Sequence, residues 1–377
     1  RYAMQVLAKI NNIRFEHDLP QILLTDSSKL NHTHIVVKDQ WASHPSTPDR
    51  VARLQRLAKT AHISNASAWN YFADPEKVQR QQTALLFSNS SLKDAPNLSL
   101  QEFKVQYQNQ IDHYSFDPAY QDFYDQRNPE PFDLAQAIDQ ADGQTASQVT
   151  DIFNDTTQEL SHVQLGLERD ILLLEHIAGP ENTIQTFDYK GKKYKSSEAT
   201  SLAGVLKHEK KEVDIQIKQV DIAAFQFFYK LAKIQNKENL LSDTYIAYFE
   251  NLEKFKSDTL QYTELLQLCG FMQYTTTIPE IKSNMARVYT KEAIIKERLT
   301  QLLENPALEK VIDVETKQEV QRYLTKRWEY FGHDTYYEGT LHMMYRSVDA
   351  FYRLSQEQSF LEKKKLLSLQ MDLTTPN

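Results

Sequence analysis

The chain has 377 residues, enough for two or three domains and a sizeable core. Hydrophobic residues make up 41% and the formal charge is -8, which excludes global disorder and argues against a nucleic-acid partner, since such a surface would be basic. Glycine is scarce, with 8 residues, and doubly wound sheets and barrels need many glycine turns; long helices are expected instead, with 20 Tyr and 18 Phe to fill the seams between them.

Cys269 is the single cysteine, so no intrachain disulfide can form. That fits a reducing compartment and leaves the periplasm open. No run of about 18 apolar residues occurs, so no membrane-spanning helix is expected in this sequence, and it carries no signal-peptide pattern. The chain opens on Arg1 already in helical pattern and is expected to be a piece of a longer protein or a processed product.

Residues 2–13 read as an amphipathic helix, with Tyr2, Val6, Ile10 and Ile13 on one face. A polar stretch follows, then a short β-branched run at 34–37. In "WASHPSTPDRVARLQRLAKTA", Thr47 can cap a helix with Pro48 at its first position, and Val51, Leu54, Leu57 and Ala58 form the expected buried stripe. Asp74-Pro75 repeats the start signal for a helix over 75–87. Residues 88–98 read as a linker. Residues 99–133 are rich in aromatics and prolines, and predict a short helix followed by an irregular segment that buries single aromatic anchors.

Beyond residue 150 the pattern is one of long helices. Apolar residues at 160, 163, 167, 171, 174 and 177 mark the first, and Gly179-Pro180 stops it. One hairpin is expected, flanked by Ile184 and Phe187 and turning at Lys190-Gly191. Further helices are expected near 197–235, 238–270, 279–304 and 315–370, the last open to a break at Gly332 or Gly339. No repeat of fixed period stands out. The domain reading is 1–87, then a linker and wrapping segment over 88–149, then a helical domain over 150–377. The fold class is mainly α.

"SHPSTPDRVARL" is the stretch that points to chemistry. A His-Pro turn is followed by Arg50, six residues after His44, at the start of an apolar helix. One reading is an ordinary helix cap, with Ser46 or Thr47 capping, His44 in the turn and Arg50 solvated. In order and spacing, however, His44, Pro45, Asp49, Arg50, Val51 and Leu54 resemble the C-terminal end of the catalytic domain in HtpX-like and CAAX prenyl-protease-type zinc metallopeptidases. That family usually carries a second proline where this chain has Ser46. The resemblance covers about residues 1–60; the extended helical region beyond looks like large bacterial members, less specifically.

The resemblance implies that His44 lies beside a zinc-bound water and stabilises a tetrahedral oxyanion. It implies that Arg50 pairs with the glutamate that ligates zinc and keeps it ionised and oriented. Residues 1–87 would be the end of a helical zinc-peptidase domain, and the long-helix bundle after it regulatory, scaffolding or substrate-gating. The family's zinc site needs His-Glu-x-x-His on one helix. The sequence has none: "HEKKE" at 208 places Glu212 where the second histidine belongs, and "EHIAG" at 175 has no second histidine. The ligands of the Zn2+ and the membrane spans would therefore lie in an upstream part of the same protein, and this segment alone would not hydrolyse a peptide. The implied partners are that upstream part and a protein or peptide substrate, at the cytoplasmic face of a membrane.

Other constellations are weaker. His32 and His34, two apart in an extended segment, can chelate a metal, or be plain polar loop residues. Glu338 and His342 stand at i, i+4 with His333 and Asp334 nearby, but a bundle-core carboxylate site needs matching Glu-x-x-His pairs on two helices. Tyr337, Leu341, Tyr345 and Val348 read instead as the core face of that helix. Cys269 in "LLQLCGFM" reads as a buried small hydrophobe. There is no G-x-S-x-G elbow, phosphate loop or dinucleotide fingerprint. The reading from a different class is a stand-alone helical interaction protein without catalysis.

Overall fold

The computed structural model describes residues 14–15, 33–37, 47–57, 67–88, 97–180 and 182–375. In chain order these form β1 (Arg14–Phe15), β2 (Ile35–Val36), α1 (Thr47–Arg56), α2 (Pro75–Ser88), β3 (Asn97–Leu98), α3 (Leu100–Tyr114), α4 (Leu134–Asp139) and α5 (Asp155–Ala178). Then come β4 (Thr186–Tyr189), β5 (Lys192–Lys195), α6 (Ala199–Ile234), α7 (Glu238–Cys269), α8 (Ile278–Leu303), α9 (Val314–Leu324), β6 (Phe331–Gly332), β7 (Thr335–Tyr336) and α10 (Glu338–Asp372). The protein is mainly helical. The expected helix over 2–13 lies outside the described residues.

Local chemistry sets the element ends. Ser99 and Glu102 close a capping box on α3, the Glu102 N–H donating to Ser99 Oγ at 3.2 Å and the Ser99 N–H to Glu102 Oε2 at 2.8 Å. Thr277 and Glu280 close another on α8, with Pro279 in its first turn. Asp313 caps α9 through the Thr316 N–H at 2.8 Å. At Lys190 and Gly191 the backbone turns left-handed, with φ of 47° and 78°, the two-residue geometry that matches strand twist. The break expected in the last helix spans the β6–β7 hairpin. Gly332 lies inside it, where a Cβ would fall 2.4 Å from the Tyr337 hydroxyl, while Gly339 lies in the first turn of α10.

Two compact units are present, each discontinuous in sequence: Arg1–Ser115 with Asp155–Ile217, and Phe116–Asn154 with Lys218–Asn377. In the first, β1 pairs in parallel with β3, and β2 adds antiparallel to β4 of the β4–β5 hairpin. Ile35, Phe187 and Tyr189 are buried while Val36 is exposed, the alternation of a sheet covered on one face. α5 buries Leu167, Ile171, Leu174 and Ile177, the later part of its expected stripe. α2 buries nothing among its described side chains.

In the second unit α10 packs against α7, α8 and α9. Val288, Ile295, Leu299, Tyr323, Met344, Val348, Phe351 and Leu354 meet in its core. The apolar face of α10 is rotated from the expected one: Val348 is buried and Tyr337 and Leu341 are half-buried, but Tyr345 is 38% exposed. Met343, Met344, Ser347 and Phe351 take the inner positions instead.

The irregular segment 116–130 forms a separate buried cluster in this unit. Tyr120, Phe123, Tyr124 and Phe153 are fully buried and meet mostly edge to face, with Tyr120 and Phe153 at 5.0 Å. Asp221 of α6 holds the segment. Its buried carboxylate accepts from the Tyr124 hydroxyl at 2.9 Å, from both terminal nitrogens of Arg127 and from the Glu130 N–H at 3.0 Å. The Arg127 guanidinium also lies 4.5 Å from the Phe123 ring centre. Replacing Asp221 with Ala strands this guanidinium without its carboxylate, and urea unfolding should show a loss of about 3–5 kcal/mol. A loss under about 1 kcal/mol would show that the ion pair does not anchor the segment.

Candidate functional site

α1 carries the residues singled out for chemistry. Pro48 falls in its first turn, where its missing N–H costs no hydrogen bond, and Arg53 and Arg56 sit in the last turn, at the negative end of the helix dipole. His44 lies outside the described residues. Arg50 lies inside them, on an exposed part of α1.

The stripe expected to be buried on α1 is not. Val51 is 45% exposed, Leu54 66% and Leu57 57%; Ala58 lies outside the described residues. Arg50, Leu54 and Leu57 stand at i, i+4 and i+7, so at about 3.6 residues per turn the arginine lies within the apolar stripe. Purely apolar material cannot cover such a face without stripping water from a guanidinium. Whatever covers it must bring an acceptor, and a carboxylate that takes two parallel N–H bonds fits best.

The His32 and His34 pair is half described, His32 lying outside. The His34 side chain is exposed, with its ring edge toward Tyr189 at 6.3 Å. The backbone explains its place. The buried Asp170 of α5 accepts from the His34 N–H at 3.0 Å and from the Thr33 hydroxyl, and Thr33 Oγ1 in turn accepts from the Ile35 N–H at 3.2 Å. Asp170 thus seats the start of β2 beside the hairpin. Sequence reasoning passed over it, although it stands at i+3 from Leu167 and i−4 from Leu174, within the apolar face of α5.

The carboxylate and histidine group near α10 does not converge. Glu338 and His342 are exposed on its first turns. His333 and Asp334 form the turn between β6 and β7, with φ of 49° and 59°, a conformation these residue types tolerate. Cys269 is buried and free, and burial pushes its thiol above the ordinary value, so it is an unreactive core group. Among the described residues no three His, Cys, Asp or Glu side chains are grouped to hold a metal ion. The donor set of a zinc site does not fit these residues.

No protein-family model, curated protein or solved structure matches the chain. Among the described residues no helix is long and apolar enough to cross a membrane.

The Asp170 contacts yield a local test. In Asp170→Ala, amide exchange at His34 and Ile35 should accelerate about tenfold or more, the equivalent of one lost charged hydrogen bond. Unchanged exchange would show that the hairpin alone orders this strand.

Proposed function

We propose that this chain is the downstream portion of a membrane-associated zinc metallopeptidase of the HtpX-like and CAAX prenyl-protease type. The supporting observation is α1 itself, a helix whose apolar stripe includes Arg50 and stands uncovered. A peptidase body supplies the two things this face lacks, apolar cover and a carboxylate for the guanidinium. On this reading the carboxylate is the glutamate that ligates zinc, and Arg50 holds it ionised and aimed. His44 donates to the oxyanion as the scissile carbonyl becomes tetrahedral. Zinc, when bound upstream, supplies the activated water.

The zinc ligands and membrane spans belong to the upstream part of the protein, and α1 lies at the cytoplasmic face of the membrane. The helical domain over 150–377 regulates or gates access of a protein or peptide substrate. Without the upstream part this segment hydrolyses nothing.

The test uses the natural protein, isolated intact and identified by mass with N-terminal fragmentation. The reading requires upstream sequence containing His-Glu-x-x-His. In that protein His44→Ala should lower peptide hydrolysis by about two orders of magnitude with the fold intact, the usual cost of one oxyanion donor. Arg50→Ala should lower retained zinc as well. Normal cleavage in both variants, or a natural chain without the zinc motif, defeats the peptidase reading and leaves a helical interaction protein.

A further inference from the structure

Lys363 of α10 is a second buried charge against the segment 116–130, and nothing in the peptidase reading uses it. Only 5% of the residue is exposed. Its ammonium donates to two backbone carbonyls of the segment, Tyr124 O and Arg127 O, the latter at 2.6 Å, and lies 4.5 Å from the centre of the Phe116 ring. All three contacts belong to one stretch of chain, so this single side chain clasps the segment from the helix side.

The charges around it do not balance. Arg127 and Lys363 are both buried cations, and Asp221 of α6 is the buried carboxylate they share, committed to Arg127 by two bonds. Asp125 of the segment also acts on Lys363 but is exposed, which weakens it through solvent screening. Tyr124 from the segment and Tyr245 and Tyr248 from α7 also face Asp221, and burial raises all three above the ordinary phenol, so they stay neutral; the half-buried Glu130 of the segment acts on Arg127. Among the buried charged side chains here, Arg127, Asp221 and Lys363, a protonated Lys363 leaves one positive unit in excess, with the Glu130 carboxylate only half-buried beside them. A neutral amine keeps two N–H donors for the two carbonyls and removes the excess.

We propose that Lys363 is a proton-operated latch: gaining a proton there loosens the hold of residues 116–130 on the helices, and losing it tightens that hold. Burial first, and the Arg127 guanidinium next, push the Lys363 ammonium down to about 7. A lysine released to water keeps its proton up to about 10.4. Between those values the loosened state carries one more proton than the closed state, so closure strengthens as pH rises through that window. Below about 7 both states are protonated and the hold stays at its weakest. The latch does not rest on the peptidase reading, since none of its residues is given a part in the hydrolysis.

Hydrogen exchange followed by mass spectrometry on peptides covering 116–130, corrected for the intrinsic pH dependence of exchange, tests it. Protection in the unaltered protein should rise about tenfold or more between pH 6 and pH 8.5. Lys363→Met, which keeps the bulk and removes the charge, should flatten that rise. Protection that is flat with pH in the unaltered protein, or a rise that survives in Lys363→Met, overturns the proposal. Should the variant fail to fold, carbon-detected titration of Lys363 in the unaltered protein decides. A midpoint within about one unit of neutrality supports the latch, and one at the ordinary lysine value of about 10.4 overturns it.

Discussion

Asp221 occupies a position that the rest of its helix reserves for apolar side chains. Ile217, Ala224, Phe225 and Phe228 share its face of α6 and are buried. A carboxylate placed there must find donors inside the protein or stay in water. The segment 116–130 brings them: a tyrosine hydroxyl, an arginine fork and a backbone N–H. The buried rings of Tyr120, Phe123, Tyr124 and Phe153 cluster together, and the Tyr120 hydroxyl adds bonds to Leu367 O and Gln370 Oε1. A stretch held internally by single 3-10 turns becomes a structural layer through one charged residue.

The same device recurs elsewhere in the second unit. Asp258 of α7 accepts from Ser355 of α10 at 2.6 Å and pairs with Arg298 of α8 at 3.1 Å, tying three helices at one point. Glu292 of α8 accepts from the Tyr330 hydroxyl at 2.6 Å and pairs with Lys296 at 2.9 Å, and Tyr330 leads into the β6–β7 hairpin. Buried pairs of this kind add little net stability, since removing charge from water offsets most of the attraction. Their effect here is registry. A leucine seam tolerates a helix sliding by one turn, whereas a carboxylate with its donors on a neighbouring helix does not.

α1 shows the opposite condition. It has the composition of a packed helix, yet Val51, Leu54 and Leu57 face outward with Arg50 among them. The bundle helices satisfy their buried charges within the chain; α1 holds its apolar stripe and its cation ready for something else. That contrast, more than any catalytic constellation, sets α1 apart from the bundle helices.

The sequence by itself determined the helices and their ends. The 3.6-residue pattern placed α6, α7 and α8 within two residues of their bounds, Gly179-Pro180 ended α5, and Lys190-Gly191 turned the hairpin, because periodicity, caps and left-handed glycine turns are local physics. Pattern alone also placed the buried anchors in the aromatic segment. It misjudged α1 and the inner face of α10, because apolar spacing says which residues share a face and not whether another element covers it. Asp170, Asp221 and Lys363 passed unnoticed for a related reason. Each sits in an apolar stripe, which signals a buried partner, but the nearest partners in sequence, His34, Glu130 and Arg127, lie 136, 91 and 236 residues away. Only the tertiary structure decided which loop each charge would hold, since a buried charge is satisfied by proximity in space and nothing local in the chain encodes it.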